Sequence, residues 1–147
     1  SMRSEDKDAV FNAMQDTDIT ELRERPINAL AGGEQTLALV ARKLVVNAGI
    51  LLADEPVAGL DPNHQIQVMK LLQDYAGLGK SVLVVLHDLT LAARFCHKLY
   101  LLHEGKVLAD GKPQDVLTPE NLKTSYGIEA KIKCDEDAFY VIPWKRI

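Results

Sequence analysis

Two short, unbroken apolar runs constrain this chain more than any other feature. They are "ILLADE" at 50–55 and "SVLVVL" at 81–86. Neither alternates apolar with polar, so each reads as a strand of a parallel sheet covered on both faces. Between them, Asp61-Pro62 supplies a side-chain N-cap and a first-turn proline, which predicts a helix through about Ala76. Ile66, Met69, Leu72 and either Tyr75 or Ala76 form its expected buried stripe. A second helix is expected from Leu89 to His97. Strand, helix, strand, helix defines an α/β layer.

The flanking sequence adds helices and hairpins. Residues 5–16 place Val10 and Met14 on one helical face, and a polar stretch containing Pro26 follows. "GGEQTLALVARKLVV" opens with Gly32-Gly33 and carries Leu37, Val40, Ala41 and Leu44 at helical spacing, with Asn47 and Gly49 ending it. Downstream, "KLYLLHEGKVLADG" predicts a hairpin turning at Glu104-Gly105. Two short helices near 113–117 and 119–125 come next. A terminal hairpin turning around Asp135 to Asp137 closes the chain.

Composition excludes several function classes. The formal net charge of −4 gives no electrostatic basis for wrapping a nucleic acid or an anionic membrane. Cys96 and Cys134 lack pairing or metal-type spacing and read as reduced thiols of a cytoplasmic protein. His64, His87, His97 and His103 form no helix-spaced ligand pair, which argues against a histidine metal site. No apolar stretch reaches the ~18 residues that span a bilayer, and the N-terminus carries no signal peptide pattern.

"GLGKS" at 77–81 raises the question of a phosphate-binding loop. The full pattern needs a glycine five positions before Gly79, where this chain has Asp74, and it needs a strand before and a helix after. Here the order is reversed, so the positive end of a helix does not face the tripeptide. The expected role is structural, with Gly77 as a left-handed helix stop, Leu78 as its apolar contact and Gly79 completing a turn.

Candidate chemistry lies elsewhere. Asp54-Glu55 end "ILLADE", at the carboxyl end of a parallel strand where ligands collect. Such an aspartate can hold Mg²⁺ through waters, and the adjacent glutamate can polarise an attacking water. Gly32-Gly33 allow a phosphate to approach a helix start, though a plain glycine turn has the same sequence. His87 follows the second strand and can donate to a phosphate, or it can be a satisfied core histidine. Asp61 can serve as an N-cap, as a ligand contact, or both.

The order "LAGGEQ" (30–35), "ILLADEP" (50–56), "AGLDP" (58–62) and "VVLHDL" (84–89) closely resembles the ATP-binding cassette (ABC) family. By that resemblance Leu30, Ala31, Gly32, Gly33 and Glu34 correspond to the signature motif, which contacts ATP. Asp54 corresponds to the Walker B aspartate that holds Mg²⁺. Glu55 is the catalytic glutamate, Ala58 to Asp61 the D-loop and His87 the switch histidine. The implied fold is a truncated P-loop NTPase core, with parallel strands flanked by helices and C-terminal β-hairpins. Residues 1–30 would end a helical subdomain, 31–110 would carry the motifs, and 111–147 the terminal helices and hairpin. The stretch from His87 to Ile132 resembles the ATPases of bacterial importers for iron-siderophores, haem and cobalamin. These are cytoplasmic proteins at the inner face of the membrane that pair with a permease and a second ATPase subunit.

Two departures qualify the resemblance. The family's Walker A loop, aromatic base-stacking strand and Q-loop precede the signature motif, and the 29 residues before Leu30 carry none of them. The sequence therefore resembles the C-terminal portion of a cassette, and alone it is expected to bind ATP negligibly. Its sheet edge, lacking the preceding strands, is expected to self-associate. Ala31 replaces the usual serine, removing one hydrogen bond to a charged group. Such a bond is worth ~1.5–3 kcal/mol, or roughly ten- to a hundredfold in affinity. Two alternatives stand beside the importer: a non-catalytic cassette lending its signature motif to a partner, and a cassette protein of DNA maintenance.

Overall fold

The computed structural model describes residues 4–134 and 139–147 and divides into two compact units at Val85/Leu86. In the first, α1 (Ser4–Asp16) packs against α2 (Gly32–Val45), with 3-10 turns at Thr20–Leu22 and Ile27–Ala29 between them. Ala13 and Thr17 turn inward, and the Thr17 hydroxyl donates to the Ala13 carbonyl at 2.8 Å. The Thr17 N–H donates to the same carbonyl at 3.2 Å, so one residue closes the last turn of α1 with two bonds. Strand β1 (Ile50–Asp54) pairs in parallel with β2 (Ser81–Val85), and α3 (Pro62–Gly77) connects them. Gln67 on α3 donates to the Thr17 carbonyl at 3.2 Å, and the Tyr75 hydroxyl donates to the Ala48 carbonyl at 2.6 Å. These two bonds attach α3 within the unit near its middle and at its last turn.

Parallel pairing is as expected, but burial on both faces is not. Of β1, only Leu51 is buried; Ile50 and Leu52 stand exposed, as do Leu83 and Val85 of β2. The register sets Leu52 beside Leu83 and Asp54 beside Val85, so one sheet face is open and apolar. The buried stripe of α3 also differs. It consists of Val68, Met69, Leu72 and Tyr75, while Ile66 lies outward. On α2, Leu37, Val40 and Ala41 are buried and Leu44 is half-buried.

The end of α3 corrects the reading of "GLGKS". Gly77 is the last helical residue, and Gly79 takes the left-handed conformation at φ +77°. Leu78 is 74% exposed, so it makes no buried contact at the helix end. The Gly79 N–H donates to the Ala76 carbonyl, and Ser81 then enters β2 with its N–H on the Gly49 carbonyl. The segment is a helix stop and strand entry, with the left-handed residue two positions later than expected.

The second unit begins with α4 (Leu89–Phe95), which ends two residues earlier than expected. Strands β3 (Leu99–His103) and β4 (Lys106–Gly111) form the predicted hairpin, with Glu104 and Gly105 both at positive φ in its turn. Two consecutive positive-φ residues suit a two-residue hairpin turn. Helices α5 (Pro113–Val116) and α6 (Pro119–Tyr126) precede the antiparallel pair β5 (Ile128–Cys134) and β6 (Phe139–Arg146). The turn expected around Asp135 to Asp137 lies outside the described residues. Leu89, Ala93, Leu117, Leu122 and Val141 form the core, with Ile128 and Phe139 packed against it. The Thr90 hydroxyl donates to the Val141 carbonyl at 2.7 Å and accepts from the Val141 N–H at 3.3 Å. Both cysteines are free thiols, and burial raises the Cys96 thiol above its ordinary pKa.

Candidate functional site

The glycine pair opens α2. Leu30 is buried in extended conformation, and its carbonyl accepts from the Gln35 side chain at 2.9 Å. Ala31 is the N-cap, in β conformation, and its carbonyl accepts the first intrahelical bond, from the Gln35 N–H at 2.8 Å. Glu34 reaches back so that its carboxylate accepts from the Ala31 N–H at 2.9 Å. This is half of a capping box; the Ala31 methyl cannot return the bond to the first-turn N–H groups. Gly32 and Gly33 therefore open the helix without a side-chain cap from residue 31. The positive end of the helix dipole favours an anion there.

The carboxylate pair closes β1. Asp54 is the last strand residue, and Glu55 continues the ladder by donating its N–H to the Val85 carbonyl at 3.1 Å. Glu55 then turns the chain at φ +44°, and its carbonyl accepts from the Ala58 N–H at 3.1 Å. The left-handed region costs a non-glycine residue about 1–2 kcal/mol. Both carboxylates are exposed. No group of three or more His, Cys, Asp or Glu among the described residues could hold a metal ion. A hard cation such as Mg²⁺ keeps several waters and takes one or two carboxylates beside phosphate oxygens. The single carboxylate of Asp54, next to the exposed Glu55, fits that donor set.

Asp61 caps α3 with one oxygen and holds the His64 ring with the other. Oδ1 accepts from the N–H groups of Asn63 (3.0 Å) and His64 (3.2 Å), and Oδ2 meets His64 Nδ1. The His64 side chain is the main reason the Asp61 carboxyl lies below its ordinary pKa, with the His64 backbone N–H next. His64 also lies against Gly33. A Cβ placed on Gly33 would sit 2.7 Å from the His64 ring Cγ and 2.8 Å from Cδ2 and Cε1. The histidine thus joins Asp61 to Gly33, a link that sequence spacing did not reveal. The available signal was local: a histidine three residues after an N-cap aspartate. His87 lies in a bend between β2 and α4, exposed, at the start of the second unit.

A helix start opened by two glycines and an acidic strand end thus lie in one α/β unit. Residues 2–58 match the family model described as ABC transporter. The hemin import ATP-binding protein of Bordetella avium is 43% identical over 128 residues, covering 82% of this chain and 49% of that protein. The ferric enterobactin transport ATP-binding protein of Escherichia coli is 39% identical over 131 residues, covering 88% and 48%. Among solved structures, a dimeric ATP-binding cassette in a post-hydrolysis state with ADP and Pi is 33% identical. It covers 77% of this chain and 50% of that one, with a TM-score of 0.63. An inward-facing structure described as a metal-chelate type ABC transporter matches at a TM-score of 0.86 over 99% of this chain and 59% of that one. At 24% identity this last match shows the fold alone. The chain belongs to the ABC transporter family, and it spans about half the length of the curated relatives it matches.

Proposed function

We propose that this chain is the signature, Walker B and switch part of the ATP-binding subunit of an importer for an iron complex, haem or cobalamin. The observation that carries the reading is Glu55. It is an exposed carboxylate in strained left-handed conformation, immediately beyond Asp54 at the carboxyl end of a parallel strand. Asp18, Asn47 and Glu104 share this conformation in turns, and what sets Glu55 apart is its place beside Asp54 at the carboxyl end of a parallel strand, where ligands collect. Hemin import and ferric enterobactin transport are the activities of the relatives named above, which supports the cargo class.

In this reading Glu55 orients and polarises the attacking water, and Asp54 is the protein ligand of Mg²⁺. When bound with nucleotide, that ion offsets the charge developing on the phosphates. Gly32 and Gly33 present backbone N–H groups to the γ-phosphate bound by a second ATPase subunit. Leu30 and Ala31 set the angle of that approach, and Glu34 holds the Ala31 end of the loop. Asp61 lies at the same dimer contact, and His87 donates a hydrogen bond to the γ-phosphate. The assembled subunit works against a membrane permease from the cytoplasmic face. No helix among the described residues is long and apolar enough to cross a membrane itself. The open face of Ile50, Leu52, Leu83 and Val85 is the surface through which the chain self-associates when nothing else covers it.

The test joins this chain to the P-loop-bearing first half of a related importer ATPase and compares hydrolysis with and without Glu55→Gln. A general base contributes about 10²–10⁴-fold, so a drop of that size is expected. An unchanged rate would remove Glu55 from the mechanism.

A further inference from the structure

We infer that His64 is a positioning residue that fixes the start of α2 against the Asp61 turn, and that its imidazole is the reason residue 33 must be glycine. The functional half of this inference rests on the reading of Gly33 as a phosphate-facing residue.

The geometry is specific. A Cβ on Gly33 would lie within 2.8 Å of three atoms of the ring, a separation that real Cβ atoms essentially never show. A flexible side chain could swing away. This ring is held on its other side, because Nδ1 is engaged by Asp61 Oδ2 while the His64 N–H is bound to Oδ1 of the same carboxylate. The neighbouring Gly32 differs: a Cβ there would meet nothing within 4 Å. The two glycines therefore do different work. Gly32 needs no small residue for packing, whereas Gly33 gives its missing side-chain volume to the histidine. The ring in turn carries the position of Asp61 to the helix start, thirty residues away in sequence.

A double-mutant cycle in the P-loop-completed protein tests this coupling. Gly33→Ala alone forces the loop or the ring to move, and misplacement of about 1 Å at such a site can cost about a hundredfold in rate. In the Gly33→Ala/His64→Ala double variant the clash is gone, and ATPase activity is expected to recover in part over Gly33→Ala alone. Purely additive effects would overturn the coupling. Gly32→Ala combined with His64→Ala is the control and is expected to be additive. If the completed wild-type protein hydrolyses no ATP, the proposed function fails, and the same cycle is read in urea midpoints of this chain. There too, a double variant no more stable than Gly33→Ala overturns the inference.

A second readout separates positioning from bulk packing. His64 holds the Asp61 carboxyl below its ordinary pKa. Stability from this pair is therefore fully present above the unfolded-state carboxylate pKa and is lost as pH falls through the folded one. His64→Phe keeps a ring over Gly33 but cannot accept or donate at Nδ1. In carboxyl-resolved NMR titrations, the Asp61 pKa is expected to rise in both His64→Phe and His64→Ala. The ring-current shift of the Gly33 α-protons is expected to survive only in His64→Phe. An Asp61 titration unmoved by either substitution, or Gly33 shifts unmoved by His64→Ala, would overturn the placement of the ring.

Discussion

In the second unit Leu122 is 0% exposed and Val141 1%, while in the first Ile50 and Leu52 stand 66% and 71% exposed on a strand of similar apolar content. The difference lies in how each sheet is covered. The antiparallel pairs β3–β4 and β5–β6 receive α4, α5 and α6, which bury Leu101 and Val141, while Leu102 and Val107 stay exposed on the solvent side as antiparallel strands allow. The parallel pair β1–β2 receives α3 on one side only. Parallel sheets are ordinarily covered on both faces. The unit that carries most of the candidate residues thus holds a parallel pair with one face open, and the unit that holds only His87 among them is built on antiparallel pairs, which tolerate a solvated face.

Three measurements sharpen or break that comparison. The largest effect is expected from Leu122→Ala, which should cost about 2–5 kcal/mol by loss of buried surface and the cavity left behind. Leu52→Ala on the open face should stay within about 0.5 kcal/mol. Urea unfolding of the two variants decides it; similar losses would mean that Leu52 is covered in solution.

Of intermediate size is association through the open face. Light scattering is expected to show an apparent mass that rises with concentration. Leu52→Lys/Leu83→Lys should hold the chain monomeric by placing charge on adjacent strands. A wild-type chain that stays monomeric throughout would break the comparison.

The smallest effect concerns strain at Glu55. Replacing it by glycine relieves about 1–2 kcal/mol of left-handed strain against about 0.4–1 kcal/mol of added unfolded-state entropy. The urea midpoint of Glu55→Gly should therefore hold or rise slightly. Ala53→Gly in the same strand should lose about 0.5–1 kcal/mol. Equal losses at both positions would show that Glu55 is not strained.

What could be read in the sequence was what local chemistry decides. Asp61-Pro62 announces a helix start because both residues act within one turn, and Glu104-Gly105 announces a hairpin for the same reason. The parallel pairing of 50–54 with 81–85 was legible from apolar runs of strand length. Which faces are covered was not, because burial depends on partners that composition does not name. Ile66 and Val68 show this on a smaller scale. The helical period allows either into the stripe, and the attachment of α3 to Thr17 and Ala48 turns Val68 inward. Gly77 and Gly79 flank one residue, and a glycine can remain helical, so the sequence alone left the left-handed position open. Of the site, the candidate residues and their order were legible, and the dihedral of Glu55 and the docking of His64 on Gly33 were not. The latter is a contact across thirty residues with no periodic or motif signal.

Strand β6 has β5 on one side, and on its other side one side chain takes both main-chain groups of Val141. The Thr90 hydroxyl donates to the carbonyl and accepts from the N–H, as a neighbouring strand would. An incoming strand from another molecule would have to displace α4 to add there. The threonine thus acts as a guard against edge-to-edge growth at that edge of the β5–β6 pair.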